Sequence, residues 1–296
     1  MKKISCILFT TALAASLLCS CEGIKKQLPT KTWAFSDTTA HSSLSCEVEL
    51  PSASDKASSA IREELMAVLD GQLGYIVSFE GTRQFEPYSG DRQDTEAYLK
   101  YYFDNALKVL ERDSADDALQ RESYMREDDQ MAEEEIAEIL AGMPGWEYEF
   151  SLAKIADTKD YVVFQSQDYV YLGGAHGGVT GAGGITFDRK SGRRVTQVID
   201  PGCAEDIQPM LREGLTDYFA EGGLEVAADS LGDYLLTEGD LIPLPAWQPY
   251  PTPDGLVFVY QQYEIAAYAF GMPAFTVPYD KIAAYLTPEA KKILGL

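Results

Sequence analysis

Histidine, the side chain that most often transfers protons or binds metal ions, is scarce in this sequence. The chain has two histidines, His41 and His176, which is too few for most hydrolytic metal sites. The motifs His-Glu-x-x-His, Cys-x-x-Cys and Gly-x-Ser-x-Gly do not occur, and a serine triad would depend on His176. The sequence therefore predicts no metal ion, no cofactor and no catalytic residue.

A glycine-rich segment, residues 173–184, surrounds His176. Seven of its twelve residues are glycine, but no Gly-Lys-Ser/Thr follows and strand patterns flank it on both sides. This context favours a turn between strands over a phosphate-binding loop. An imidazole there suits acid–base or ligand-binding work. The competing interpretation, which we favour, is a ring whose hydrogen bonds hold the irregular glycine backbone together.

Two cysteines, Cys46 and Cys203, lie downstream of the N-terminal region. An oxidising compartment would permit a disulfide between them. Cys46 shares the apolar side of a strand pattern with Leu44 and Val48, so a buried free thiol is the competing interpretation. We favour the free thiol, and a disulfide between the two cysteines is the alternative.

Acidic residues are so abundant that no single pair of carboxylates is informative. Residues 111–138 contain twelve acidic and three basic residues. They lack the spacing of a calcium-binding loop, and carboxylates spread along a helix seldom converge on one ion. We expect a solvated helix face there. The alternative is that two of the chain's carboxylates form a catalytic pair for glycoside hydrolysis, which residue counts cannot test.

The chain as a whole is strongly acidic. Its 296 residues include 24 Lys and Arg against 47 Asp and Glu, which gives a formal charge of −23. A nucleic-acid-binding protein needs clustered cations to displace the counterions of phosphate, so this charge excludes nucleic acid as a partner and favours cationic ones. Apolar residues make up 46% of the chain, which is ample for a packed core.

The first 20 residues are organised like a secretory signal. Two lysines precede an apolar stretch, residues 4–18, that is short for a membrane span. Leu18 lies three residues before Cys21 and Ser20 directly before it, which is similar to the lipobox of bacterial lipoproteins. Residues 1–20 are therefore predicted to be removed and Cys21 to be acylated, with the lipid as the sole membrane attachment. The alternative is an ordinary secretory signal.

A tether is predicted between this cysteine and the folded part. Residues 21–42 are rich in Lys, Pro, Thr and Ser, and the first strand pattern begins near Ser43. No dense acidic cluster follows Cys21, which favours a cell-envelope protein anchored in the outer membrane and facing the periplasm. Cleavage before Cys21 would change the formal charge from −23 to −25.

Strand and helix patterns alternate along the rest of the chain. Period-two alternation predicts strands at 44–50, 146–152, 161–172, 184–187, 195–199, 255–261 and 274–278. Helical spacing predicts helices at 61–69, 99–110 and 207–219, and a short one from 280. This order is typical of an α+β fold, here with two α/β lobes whose largely antiparallel sheets are covered by helices.

Two motifs resemble those of a known family. Tyr171-Leu172-Gly173-Gly174-Ala175-His176-Gly177, followed by Phe187-Asp188 and Ser191-Gly192, resembles the signature "Y-x-G-G-A-H-G … F-D-x-x-[ST]-G" of RsiV-like extracytoplasmic domains. Tyr263-Glu264-Ile265-Ala266-Ala267-Tyr268-Ala269-Phe270-Gly271, preceded by Gly255-Leu256-Val257-Phe258, resembles the closing motif of the same family. Such domains occur in lysozyme-sensing anti-sigma factors and in the non-catalytic part of PdaC-like peptidoglycan deacetylases.

The resemblance implies an N-terminal α/β lobe over residues 43–172 and a C-terminal RsiV-like lobe over residues 173–296. Its motif residues are candidates for structural or binding roles: Tyr171, Gly173, Gly174, His176, Gly177, Asp188, Tyr263, Glu264, Tyr268 and Gly271. It implies no catalytic residue, because the PdaC-like enzymes carry their chemistry in a separate metal-binding domain without a counterpart in this sequence.

Two functions of different classes are consistent with these observations. The first is a non-enzymatic envelope lipoprotein that binds a protein or a cell-wall-associated ligand, with a cationic lysozyme-like protein as the most specific candidate. The second is an envelope enzyme acting on peptidoglycan or glycan through Asp or Glu residues and His176. Convergent carboxylates in one concave pocket would favour the enzyme, and an exposed patch of complementary charge would favour the binding protein.

Overall fold

The fold is α+β, as the sequence predicts, with two mostly antiparallel sheets and six helices among the described residues. The structure is a computed structural model that describes residues 27–127, 131–174, 177–224, 226, 230–237, 239 and 241–296. The signal sequence over 1–20, the lipidation site Cys21 and His176 lie outside these ranges. Within them, no helix combines the length and the apolar composition that a membrane span needs.

A six-stranded sheet forms the centre of the molecule, with its strands in sequence order. They are β1 (Thr30–Thr38), β2 (Ser42–Pro51), β3 (Trp146–Asp157), β4 (Tyr161–Tyr171), β5 (Val179–Asp188) and β6 (Arg194–Val195). Neighbouring strands are antiparallel except β2 and β3, which are parallel. Parallel neighbours need a long crossover, and the chain between β2 and β3 supplies it.

The crossover is helical and begins with side-chain caps. It contains α1 (Lys56–Leu73), α2 (Thr95–Arg126) and α3 (Glu133–Gly142). Asp55 and Asp94 accept hydrogen bonds from backbone N–H groups in the first turns of α1 and α2, which stabilises both helix starts. The described part of the acidic stretch 111–138 forms the end of α2 and most of α3, so its expected helical state is confirmed.

The C-terminal elements form a further layer. They are α4 (Gln208–Glu221), β7 (Tyr250–Pro251), β8 (Leu256–Val259), β9 (Ala274–Val277), α5 (Tyr279–Ile282) and α6 (Pro288–Leu294). Strands β7, β8 and β9 make a small antiparallel sheet, and α4 packs on β9.

Alternation along the central strands creates two cores, one on each face of the sheet. On one side, Phe150 and Phe164 are buried against α1 and α2; we call this side the α1–α2 face. On the other side, Tyr161 and Val163 are buried against α4 and the small sheet; we call this side the opposite face. The C-terminal layer covers only part of the opposite face.

The fold begins earlier than the sequence predicts. Leu28 is 1% exposed, and β1 pairs with β2 along its whole length, so a tether over 21–42 with a fold starting at Ser43 is wrong for residues 28–38. The reason is that β1 is an edge strand with mostly exposed polar side chains. Its two large apolar residues, Trp33 and Phe35, are too few to give a clear strand period.

The expected lobe boundary between residues 172 and 173 is also wrong. Strands β4 and β5 on either side of it form a continuous antiparallel pair in the central sheet. The glycines of β5 weakened the strand pattern, but they have a packing role. A Cβ on Gly183 would overlap the ring of Trp247, and one on Gly184 would overlap the ring of Tyr250.

Cys46 and Cys203, the two cysteines among the described residues, are free and buried. Cys46 lies in the core on the α1–α2 face and Cys203 in the core on the opposite face, so the sheet separates them. The disulfide left open by the sequence is therefore not formed. Burial raises the pKa of Cys46 to about 12, which keeps its thiol protonated and unreactive at neutral pH.

Candidate functional site

The two sequence motifs that resemble one family meet in space at the edge of β5. Gln262 accepts a hydrogen bond from the Thr180 N–H at 2.7 Å. Gln261 accepts from the Ala182 N–H at 3.0 Å and donates to the Ala182 carbonyl at 2.9 Å. These side-chain amides satisfy the backbone edge that a neighbouring strand would otherwise occupy. The glycine-rich segment and the closing motif are thus one structural unit.

Two tyrosines of the closing motif lie beside the glycine-rich loop. The Tyr268 hydroxyl donates to the Gly178 carbonyl at 2.6 Å, and a Cβ on Gly177 would lie 2.5 Å from that hydroxyl. The ring of Tyr263 is 5.7 Å from the ring of Tyr268. Tyr263 is exposed and has a φ of 64°, a conformation that is costly for a bulky residue. Gly177 is therefore required for close approach, and Tyr263 is held outward.

The other end of the loop is fixed by Tyr171 and Arg121. The Tyr171 hydroxyl donates to the Gly174 carbonyl at 3.1 Å. Arg121 donates to the Leu172 carbonyl at 3.0 Å, and a Cβ on Gly173 would lie 2.9 Å from its guanidinium. Sequence reasoning did not find Arg121, because it is one of three cations in the acidic stretch and nothing local indicates its long-range contact.

Three further motif residues have structural roles. Both carboxylate oxygens of Glu264 accept backbone N–H groups, at 2.6 and 2.7 Å, from two different loops. Asp188 accepts two N–H groups within the hairpin turn between β5 and β6. Gly271 has a φ of 69°, which favours glycine. For His176, which lies outside the described residues, both interpretations stay predictions.

Beside the loop, part of the opposite face of the central sheet is uncovered. We call it the open face; its residues are Ser45, Glu47, Glu147, Glu149, Gln167 and Tyr169. A hollow of about 530 Å³ lies on it, and Glu47, Glu149 and Tyr169 contribute to its lining. Tyr169 also contacts the glycine-rich loop, because a Cβ on Gly178 would overlap its ring. The open face and the loop therefore form one continuous surface.

The charge of the open face is uncompensated. Across the part of the chain that the structure describes, Glu47, Glu147 and Glu149 form no hydrogen bond or ion pair through their side chains. Partial burial and the neighbouring charge of Glu147 raise the pKa of Glu149 above its ordinary value. Tyr169 pairs with Glu149 across β3 and β4, and Tyr171 pairs with Glu147. Carboxylates beside aromatic rings are the arrangement that binds Lys and Arg side chains.

The alternation in residues 146–152 was the one signal for this surface. It predicted that Glu147 and Glu149 share the wet side of a strand, which is confirmed. It did not indicate that Glu47 or Tyr169 would lie next to them. Among the described residues, no group of three or more His, Cys, Asp or Glu side chains has an arrangement that could hold a metal ion.

A pH-dependent contribution to stability is expected from Asp168. This carboxylate lies on the α1–α2 face, paired with Phe150 across β3 and β4, and makes no hydrogen bond or ion pair with any described residue. Burial raises its pKa from 3.8 to about 6. The folded protein therefore binds more protons than the unfolded chain between these pH values, and stability falls as the pH rises through that range.

Asp168→Asn removes this dependence. At pH 7 the variant is expected to be more stable than the parent by about 1 kcal/mol, because the parent's carboxylate is ionised there and its partial exposure to water limits the destabilisation. Below about pH 4 the two proteins are expected to be equally stable. Urea unfolding at several pH values measures the difference. A variant less stable than the parent at pH 7 would contradict the prediction.

Comparison with known proteins links this chain to a family without an assigned function. Residues 227–280, which include the closing motif, match the family described as "Protein of unknown function (DUF3298)". A DUF3298 protein structure from Bacteroides fragilis NCTC 9343 is similar, with 18% identity, a TM-score of 0.59, and coverage of 92% of this chain and 100% of that one. Another, from Pseudomonas aeruginosa PAO1, has 15% identity, a TM-score of 0.53, and coverage of 89% and 96%.

No curated protein matches this chain significantly. At these identities the two structures show a shared fold. The chain is thus an α+β protein with a DUF3298 match in its C-terminal part, and the finer resemblance to RsiV-like domains stays a prediction.

Proposed function

We propose that this protein is a non-enzymatic cell-envelope lipoprotein whose open face binds a basic, lysozyme-like protein. The observation that carries the proposal is the open face itself, where Glu47, Glu147 and Glu149 lack partners among the described residues and lie beside tyrosines. A surface of this kind is complementary to exposed Lys and Arg side chains.

The net charge supports the same class of partner. A formal charge of −23 creates a negative field that raises the encounter rate with cations and repels anionic lipids and nucleic acids. Charge alone gives no specificity, however. The rings of Tyr169, Tyr171 and Tyr263 supply the amphipathic contact area that specific interfaces use.

Localisation in the cell envelope is part of the proposal. Acylation at Cys21 would hold the protein at the outer membrane with the folded part in the periplasm, where lysozyme-like proteins and the cell wall are encountered. The resemblance to RsiV-like domains supports this partner. The alternative partner is a cell-wall-associated ligand, which a parallel titration with soluble cell-wall fragments tests.

Titration calorimetry of residues 22–296 with a purified lysozyme tests the proposal. We expect a complex of defined stoichiometry that persists at about 0.15 M salt, where the Debye length is about 8 Å and exposed charges are largely screened. Combined Glu47→Gln, Glu147→Gln and Glu149→Gln substitutions are expected to weaken binding about tenfold or more, because three partly desolvated charge contacts are lost.

The matched control removes the same charge elsewhere. Glu134, Glu135 and Glu138 are exposed on α3 and form no ion pair with described residues. Their combined change to Gln should alter the affinity less than about twofold. The proposal is overturned if both triple variants weaken lysozyme binding equally, or if an unrelated protein of similar basicity binds equally well. Either result would show that the interaction is non-specific electrostatic attraction.

One observation favours the enzymatic alternative. Glu47 and Glu149 line the same hollow on neighbouring strands, which is the kind of carboxylate pair that glycoside hydrolysis uses. The hollow is open to solvent, which weighs against catalysis. Peptidoglycan hydrolysis by the purified protein that Glu149→Gln abolishes and Glu134→Gln leaves unchanged would replace the binding proposal with this one.

A further inference from the structure

A second cleft lies on the other side of the molecule, between α1 and the outer edge of β5. Its volume is about 370 Å³. The residues that matter for its chemistry are Gln72, Ser166, Gly184, Arg194, Trp247 and Gln248. None of them belongs to the open face, so this cleft and the proposed protein-binding surface are separate.

The cleft contains a gap in the backbone pairing of β5. Gln262 and Gln261 cover the strand edge at Thr180 and Ala182, and β6 pairs with it from Thr186 onward. Gly184 lies between these two covered stretches. Since alternate residues of a strand present their N–H and C=O groups to the same side, those of Gly184 point outward, where no described strand pairs with them.

A buried hydroxyl in the same cleft also lacks a partner. Ser166 is 2% exposed, and its Oγ accepts and donates no hydrogen bond within the described structure. It pairs with Gly183 across β4 and β5, and the indole of Trp247 packs over that glycine. Buried hydroxyls without partners are uncommon and costly, and a polar group of a bound ligand would satisfy this one. The 38% exposure of Trp247 leaves part of the indole free.

A free cation lies at the far end of the cleft. The side chain of Arg194 forms no ion pair or hydrogen bond with described residues, whereas the side chains of the other described arginines all have partners. On β6 it is the residue paired with Phe187, four positions along β5 from Gly183. At about 3.3 Å per residue, the Trp247 and Arg194 ends are about 13 Å apart along the strand.

We propose that this cleft binds the carboxyl end of a short peptide. A guanidinium pairs with a carboxylate through two parallel hydrogen bonds, which places the terminal carboxylate at Arg194. A peptide bond offers the N–H and C=O that complete the edge at Gly184, in the manner of an added strand. The indole of Trp247 then packs against a small apolar side chain. The volume, at the low end for ligand sites, limits the ligand to a few residues.

The test uses N-acetyl-dialanine and its C-terminal amide, which differ only in the carboxylate. Binding is followed by amide NMR of the protein, in which signals from Gly183, Gly184 and Trp247 are expected to shift with the free acid. The amide is expected to bind about tenfold more weakly, since a charge-assisted contact is lost. Arg194→Gln should remove this difference, whereas Lys108→Gln, which removes an unpaired exposed cation on α2, should leave it unchanged.

The chirality of the probe distinguishes two sources of such a peptide. Preference for the L,L form points to the carboxyl end of a protein, and preference for the D,D form points to a cell-wall stem peptide; both support the site. Equal binding of acid and amide, or no shift at the cleft with about 10 mM of either acid, overturns it.

Ser166→Ala tests the same site without changing Arg194. It should weaken the binding of the free acid, while the thermal unfolding temperature stays unchanged or rises. Loss of lysozyme binding would leave this result unaffected.

Discussion

A chain that begins at Ser43, where the sequence places the first strand, is expected to unfold or aggregate, whereas a chain that begins at Gln27 folds. Removal of β1 would leave β2 as a long unprotected edge, which promotes aggregation. It would also uncover the ring of Phe103, which packs 5.5 Å from that of Phe35. Thermal unfolding and size-exclusion chromatography of the two chains measure the difference.

A point substitution tests the packing of the same N-terminal segment without truncation. Leu28 is 1% exposed and lies in the core on the α1–α2 face, so Leu28→Ala is expected to cost about 3 kcal/mol of unfolding free energy. The exposed Thr32 on β1 is the control, and Thr32→Ala should cost less than about 0.5 kcal/mol. A chain starting at Ser43 that unfolds at the temperature of the longer chain would contradict the role assigned to β1.

The second large effect is expected at a buried ion cluster at the end of β3. The Asp157 side chain is 7% exposed and accepts hydrogen bonds from the Leu28 N–H at 2.7 Å, from Lys154 at 3.0 Å and from Arg189 at 3.3 Å. Both cations are also mostly buried. Asp157→Ala leaves two desolvated positive charges without their partner, and we expect it to cost about 3–5 kcal/mol.

Asp160 provides the matched control three residues further along the chain. Its partners, Lys159 and Lys190, are largely exposed, so Asp160→Ala should cost less than about 1 kcal/mol. Urea unfolding of both variants decides the matter. If the two substitutions cost the same, the cluster at Asp157 contributes no more than a surface ion pair, and its coupling to Leu28 is not important for stability.

The sequence by itself determined most of the local structure. Period-two alternation located β3 and β4, helical spacing located α1, α2 and α4, and the turn before β6 followed from Asp188 and Gly192. These signals are local, because each depends on side chains within a few residues and on which of them avoid water. They failed at β1, whose exposed edge position left little apolar pattern, and in β5, whose glycines make room for Trp247 and Tyr250.

The tertiary structure decided which local elements act together. Alternation predicted that Glu147 and Glu149 share one side of a strand, but not that Glu47 joins them or that no helix covers them. The two motifs that resemble one family are distant in sequence, and only the fold brings Gln261 and Gln262 to the edge of β5. Strand pairing and coverage of a sheet depend on contacts between residues far apart in the chain, which the periodicity of any single segment does not encode.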